Sequence, residues 1–174
     1  MRKMIPMLVM ILFAAVGSRA QDTPAAEVSA SYSFLGFGVS HGVNQNGASV
    51  SVAGNLNHWL GLAGDVGGYH KSEAGITFNT YTYMGGPRLS YRNSSHVTPF
   101  AQLLVGGARG SLSAFGSSGS GNGFAYSVGG GVNLGVTKHL ALRPQLDYIG
   151  MRFSGNTVNT VRGSFSIVFR FGNH

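Results

Sequence analysis

The stretch Leu140 to Phe153, Leu-Ala-Leu-Arg-Pro-Gln-Leu-Asp-Tyr-Ile-Gly-Met-Arg-Phe, alternates between two chemically different sets of side chains. Leu140, Leu142, Pro144, Leu146 and Tyr148 make one set, and Ala141, Arg143, Gln145, Asp147 and Ile149 make the other. An extended chain points successive side chains to opposite faces. A strand over 140–153 therefore has an apolar face and a face bearing two opposite charges and an amide. Soluble strands do this as well, so the environment of each face has to be read from the rest of the chain.

Seven further segments show the same alternation. Val28, Ala30, Tyr32 and Phe34 oppose Ser29, Ser31 and Ser33; over about 48–56, Val50, Val52 and Leu56 oppose Ser49, Ser51 and Asn55. From Leu60, Leu62 and Val66 oppose Gly61, Ala63, Asp65, Gly67 and Tyr69, and over about 78–92 Tyr81, Tyr83, Leu89 and Tyr91 oppose Thr80, Thr82, Met84, Arg88 and Ser90. Ala101, Leu103 and Val105 oppose Gln102, Leu104, Gly106 and Ala108; Phe124, Tyr126, Val128, Val132 and Leu134 oppose Ser127, Gly129, Gly131, Asn133 and Gly135. In the last segment Val161, Phe165, Ile167, Phe169 and Phe171 oppose Arg162, Ser164, Ser166, Val168 and Arg170. Short turns are predicted at 57–59, 92–96 and 137–139, and polar loops at 41–46, 70–75 and 154–160. The Gly/Ser-rich run 110–123 has the composition of a flexible exposed loop.

The two faces then identify their surroundings. A soluble sandwich or barrel turns its apolar face inward and shows Lys and Glu outside, whereas here the polar face is small, made of Gly, Ser, Thr, Asn and Gln with few charges, and lysine is nearly absent from the strands. The apolar face is bulky on all eight segments. A narrow eight-stranded barrel needs small side chains inside, and an outward apolar band without a free edge is what a lipid bilayer requires of a sheet. The expectation is an all-β chain, an eight-stranded antiparallel transmembrane up-and-down β-barrel over 27–174. Short turns on the periplasmic side and longer loops outside put both chain ends in the periplasm.

Composition agrees. The 28 glycines and few charges argue against long helices, and the absence of cysteine removes disulfides, thiolate metal sites and cysteine nucleophiles. Arg2 and Lys3, the apolar run Met4 to Val16 and Ser18-Arg19-Ala20 have the form of a secretory leader. The run is interrupted by Pro6 and is too short for a membrane-spanning helix, so residues 1–20 are predicted to be a signal peptide cleaved after Ala20, with 21–26 a periplasmic tether. Removing the leader reduces a formal charge of +7 to nine basic against five acidic residues. Without a compact basic cluster or a recognition helix, nucleic acid is not a predicted partner.

Several runs carry a resemblance: Val-Ala-Gly-Asn-Leu-Asn-His-Trp-Leu-Gly-Leu (52–62), Gly-Gly-Pro-Arg-Leu-Ser-Tyr-Arg (85–92), Pro-Phe-Ala-Gln-Leu-Leu-Val-Gly-Gly (99–107), Leu-Arg-Pro-Gln-Leu-Asp-Tyr (142–148) and Phe-Arg-Phe-Gly (169–172). They resemble the small bacterial outer-membrane β-barrel family, similar to the transmembrane domain of OmpA, across essentially the whole mature chain. The resemblance implies location in the cell outer membrane and contact with its lipid and lipopolysaccharide. It further implies passage through the barrel-assembly machinery, and a non-enzymatic role in envelope structure or surface binding. The alternatives on the same barrel are a lipid A-modifying enzyme and a narrow diffusion channel.

Candidate residues follow from the faces. Asp65, Arg88, Gln102, Asn133, Arg143, Gln145, Asp147, Arg162 and Arg170 are predicted to form a polar network in the lumen, with Tyr69 and Met84 helping to plug the axis. Strand ends place Asp65 and Arg88 at similar depth, which predicts that they pair; Asp147 has Arg143, Arg162 or another inward cation within reach. Trp59, Tyr81, Tyr83, Tyr91, Tyr148, Phe169 and Phe171 are the predicted membrane-interface aromatics. Lys71, Arg109 and Arg152 lie near outer strand ends, where they can reach lipopolysaccharide phosphates or simply snorkel. His70, Ser72 and Glu73 bring imidazole, hydroxyl and carboxylate close together, but catalysis also needs an oriented base and an oxyanion site. A solvated loop explains them as well, so no catalytic residue is assigned. His41 and His70 have no diagnostic metal-ligand spacing, and no metal or cofactor is predicted. The Gly129-Gly130-Gly131 run lacks the lysine and helix of a phosphate loop and reads as crowding in the lumen.

Overall fold

A computed structural model of the chain describes residues 24–36, 45–73, 76–92, 96–114, 117–153 and 156–172. The strands are β1 (Ala26–Leu35), β2 (Gln45–Asn55), β3 (Leu60–Glu73), β4 (Ile76–Ser90), β5 (Val97–Ala114), β6 (Ser117–Gly135), β7 (Leu140–Phe153) and β8 (Asn156–Phe171). Each pairs antiparallel with the next, and β8 returns to β1, with Ala26 opposite Phe171 and Leu35 opposite Arg162. The result is a closed eight-stranded antiparallel barrel. β1 begins one residue before the boundary predicted at 27, and the leader expected over 1–20, like most of the tether, lies outside the described residues.

Alternation dictates which side chains face out. Val50, Val52, Val66, Leu103, Val105, Val128, Leu146, Phe165 and Ile167 are exposed on the outer wall, while Ser29, Ser33, Ser51, Thr82, Ser127 and Ser166 are buried inside. Burial is thus inverted relative to a soluble protein, where exposed aliphatic residues occur mostly singly. Prolines mark local gaps in the ladder: β4 and β5 pair on both sides of Pro87, and β6 and β7 on both sides of Pro144, without a change of register. A proline has no N–H to donate, so pairing lapses there and resumes.

The run 110–123 is a correction. It is not a flexible loop, because β5 and β6 remain paired from Val97 opposite Leu134 to Ala114 opposite Ser117. Serine and glycine serve in a strand above the membrane, where the outer face meets water and needs no apolar side chain. Similarly β3 continues through His70 to Glu73 and β8 starts at Asn156, both inside predicted polar loops. The extra length at this end is therefore paired strand: only 74–75, 115–116 and 154–155 separate the strands of three hairpins. At about 3.4 Å per residue, β5 runs about 60 Å and β1 about 34 Å. The barrel wall is consequently tall at β5–β6 and low at β1.

The end carrying the chain termini is closed by tighter turns. Asn57 Oδ1 accepts from the backbone N–H groups of Trp59 (3.0 Å) and Leu60 (2.7 Å). Thr137 Oγ1 does the same for His139 (3.3 Å) and Leu140 (3.0 Å). Short polar side chains that accept from backbone two and three residues on are the usual device of such turns.

Candidate functional site

The interior is the densest concentration of chemistry in the molecule. Inward parity on β3, β7 and β8 brings Asp65, Asp147 and Arg162 together, each 5 % exposed or less. Arg162 Nη1 donates to Asp65 Oδ1 at 2.7 Å and to Tyr69 Oη at 2.9 Å, while its Nη2 and Nε donate to Asp147 Oδ2 at 2.8 and 3.0 Å. Asp147 also accepts from Gln145 Nε2 at 2.7 Å and Gln102 Nε2 at 3.3 Å. This arrangement matches how a low-dielectric interior tolerates charge, paired and hydrogen-bonded.

The predicted Asp65–Arg88 pair does not form. Register sets Asp65 opposite Met84 and Arg88 opposite Gly61, four residues apart along β3. Arg88 instead reaches across to β5, with Nε and Nη2 on Gln102 Oε1 at 3.1 and 2.8 Å, and its Nη1 stands 3.5 Å from Glu27 Oε2. The same Glu27 oxygen accepts from Arg143 Nη2, and Arg143 Nε donates to Asn133 Oδ1 at 2.5 Å. The Phe100 ring lies against both cations, 4.7 Å from the Arg88 carbon and 5.0 Å from that of Arg143, in the range of cation–π attraction. Arg170 is half-buried on the inward side of β8.

Glu27, Arg92 and Phe100 belong to this cluster but had no role in the sequence reading. Glu27 was legible: it stands two residues before Ser29 in the inward series Ser29, Ser31, Ser33. Arg92 lies just beyond β4 and bonds His58 O and Asn55 Oδ1, at 2.9 and 2.8 Å. Its inward reach follows from turn geometry rather than strand parity. Toward the opposite end an apolar cluster that includes Leu35, Tyr69, Leu104, Ile149 and Met151, with Phe153 against it, occupies the interior. Gly129 borders Asp147 and Gly131 borders Gln145, so a β-carbon at either would collide with the neighbouring strand.

On the outside, Trp59, Tyr81, Tyr83, Tyr91, Tyr148, Phe169 and Phe171 are all exposed. Arg109 and Arg152 are exposed and share the outward parity of their strands: Arg109 pairs with Tyr81 and Asn122, and Arg152 with Phe124. Lys71 has the inward parity of β3, opposite Phe78, and so does not stand beside them. His70 Nδ1 bonds Asn79 Oδ1 at 2.7 Å rather than Ser72. His41 and the side chain of Glu73 lie outside the described residues. Among the described residues no three His, Cys, Asp or Glu side chains gather in a metal-binding group.

The family model for the outer membrane protein beta-barrel domain matches residues 6–171. This chain belongs to the outer-membrane β-barrel family. Solved barrels share its fold. Neisserial surface protein A superposes with a TM-score of 0.69 at 18% identity, covering 84% of this chain and 96% of that one. Ail, the attachment invasion locus protein of Yersinia pestis, gives 0.55 at 17%, covering 86% and 100%. A second Ail structure, in complex with the heparin analogue sucrose octasulfate, gives 0.54 at 16%, covering 86% and 100%. The N-terminal β-barrel domain of Pseudomonas aeruginosa OprF gives 0.53 at 15%, covering 87% and 100%. No curated protein sequence matches. As a member of the outer-membrane β-barrel family the protein resides in the outer membrane, its apolar band in lipid.

Proposed function

We propose that the protein is a non-enzymatic outer-membrane barrel with a closed lumen, which strengthens the envelope and presents its tall β5–β6 side to anionic sugars at the cell surface. The observation that carries this reading is Arg162 bonded to Asp65 and Asp147 at once. Three strands thereby send charged groups to a common point in a barrel only wide enough for side chains to fill. The Glu27 cluster on one side and the apolar cluster on the other leave the axis occupied. The termini face the periplasm, where the barrel-assembly machinery delivers the chain, and the long hairpins face out. Arg109 and Arg152 then flank Phe124 where the apolar band ends, suited to phosphate or sulfate on sugars. The sucrose octasulfate complex of Ail names the class of polyanion to test. His70 bonded to Asn79 rather than to Ser72 favours binding over lipid A hydrolysis.

The test is conductance of the refolded mature protein in planar bilayers, beside mass analysis of lipid A from cells with and without it. No steady channels and unchanged lipid A are expected. Large single-channel currents would overturn the closed lumen, and an acylation change that depends on His70 or Ser72 would restore the enzyme.

A further inference from the structure

Charge does not balance around Glu27. It is the one carboxylate in the ion pairs formed at this end among the described residues, and four guanidinium groups attend it. Arg143 bonds its Oε2, Arg88 Nη1 is 3.5 Å from the same oxygen and Arg92 Nη2 is 3.6 Å from Oε1. Arg170 faces Glu27 across the β1–β8 ladder, close enough to act on its charge and to repel Arg92 and Arg143. Farther along the axis Arg162 is matched by two carboxylates. That surplus negative charge offsets only one of the cations near Glu27. The interior retains more positive than negative charge, concentrated where Glu27 sits.

Donors are in excess at the same place. Arg88 is 2 % exposed, and its Nη1 is buried without a hydrogen-bond partner. Arg170 Nε is buried and unpartnered as well. Buried polar groups are normally satisfied, and each exception calls for an unseen partner or a function. What is missing is an acceptor carrying negative charge. Arg92 and Arg170 are only partly buried, so an ion can enter from the water at this end.

We infer that the barrel interior beside Glu27 binds a small inorganic anion of halide size, held at the unpartnered Arg170 Nε by Arg170 and the surplus field of Arg92 and Arg143. A singly charged ion fits better than an oxyanion because the packed Phe100 ring, Asn133 and Gln102 already occupy much of the surroundings. Guanidinium is also weakly hydrated, which suits a partner that sheds water easily.

The thermal midpoint of the refolded mature protein in detergent micelles tests this, with sodium chloride replacing sodium gluconate at constant ionic strength. The midpoint should rise with chloride and saturate. Arg170→Gln, which breaks no ion pair among the described residues, should abolish the saturable rise while leaving the barrel folded. Glu27→Gln removes the internal competitor, so half-saturation should fall at least three-fold. Bromide should give anomalous density within hydrogen-bond distance of Arg170 Nε. Identical curves in chloride and gluconate, a rise that survives Arg170→Gln, or a saturable response to phosphate but not chloride would each overturn the inference.

Discussion

Arg162 on β8 is shared by two carboxylates from different strands, 2.7 Å from Asp65 on β3 and 2.8 Å from Asp147 on β7. Asp147 and Arg162 face each other across the β7–β8 hairpin, whereas Asp65, 97 positions from Arg162, meets it only because the sheet closes. Their pairing therefore ties the β1–β8 closure to the opposite wall.

Arg162→Met should lower stability by about 3–5 kcal/mol, the usual loss when one member of a buried ion pair is removed and the other stays charged. Here two carboxylates lose their partner, so the upper part of that range is expected. Asp147→Asn should cost more than Asp65→Asn, since Asp147 receives two of the Arg162 bonds and another from Gln145. The urea midpoint of protein refolded in lipid vesicles measures this, with exposed Ser72→Ala as the reference. If Arg162→Met matched Ser72→Ala, the network would not hold the barrel.

Strand identity, inward and outward faces and closure were all legible because period two runs through every segment. Ion-pair partners were legible only in part: Arg162 is among the cations open to Asp147 and does bind it, but the partner of Asp65 was not legible. Asp65 and Arg88 share depth by counting from strand ends, but their register separates them, and Asp65 meets a residue 97 positions away on a strand that is not its neighbour. Partner choice across a barrel depends on strand stagger, which alternation does not encode. The 110–123 strands were missed for a different reason: above the membrane, a water-facing outer wall has the composition of a loop.

Two outward glycines show how the aromatic wall is built. Gly107 lies opposite Tyr83, and a β-carbon there would meet the Tyr83 ring first; Gly150 lies opposite Tyr126 and meets its ring in the same way. Gly107→Ala should cost about 1 kcal/mol, the lower end for overpacking, because the ring can swing into lipid. In a Tyr83→Ala background that cost should vanish, as a double-mutant cycle would report. Gly106→Ala should cost about 3 kcal/mol, because its methyl would strike the Tyr83 main chain instead. Equal losses for Gly106→Ala and Gly107→Ala would refute this distinction.

Arg109→Ala and Arg152→Ala should each weaken binding of sucrose octasulfate or purified lipopolysaccharide, and the double variant should do so by roughly ten-fold or more. A charge-assisted contact worth about 1.5–3 kcal/mol accounts for that factor. Added salt should weaken the unmodified protein's binding and have less effect on the double variant. Stability should hold within about 0.5 kcal/mol, as for surface changes generally. Unchanged binding by the double variant, measured by titration calorimetry, would move the polyanion elsewhere.

The upper edge of the membrane is written along β5 and β6. Going up the outward face of β5, Leu103 and Val105 give way to Gly107 under its tyrosine, then to Arg109 and Ser111. On β6, Phe124 gives way to Asn122 and Ser120. Lipid contact therefore ends near the level of Tyr81, Arg109 and Phe124, and the paired strand beyond stands in water. Replacing residues 112–119 with Asn-Gly, the turn that two-residue hairpins favour, would join Ser111 directly to Ser120 in their existing register. That variant should still refold into a barrel that migrates differently on a gel before and after boiling, because the closure ladder, the Arg162 network and the whole apolar band are retained. A matching truncation that reaches Leu103 and Val128 should fail to insert, since it removes lipid-facing wall. If the Asn-Gly variant also failed, the tall hairpin would be part of what folds the barrel rather than a structure carried above it.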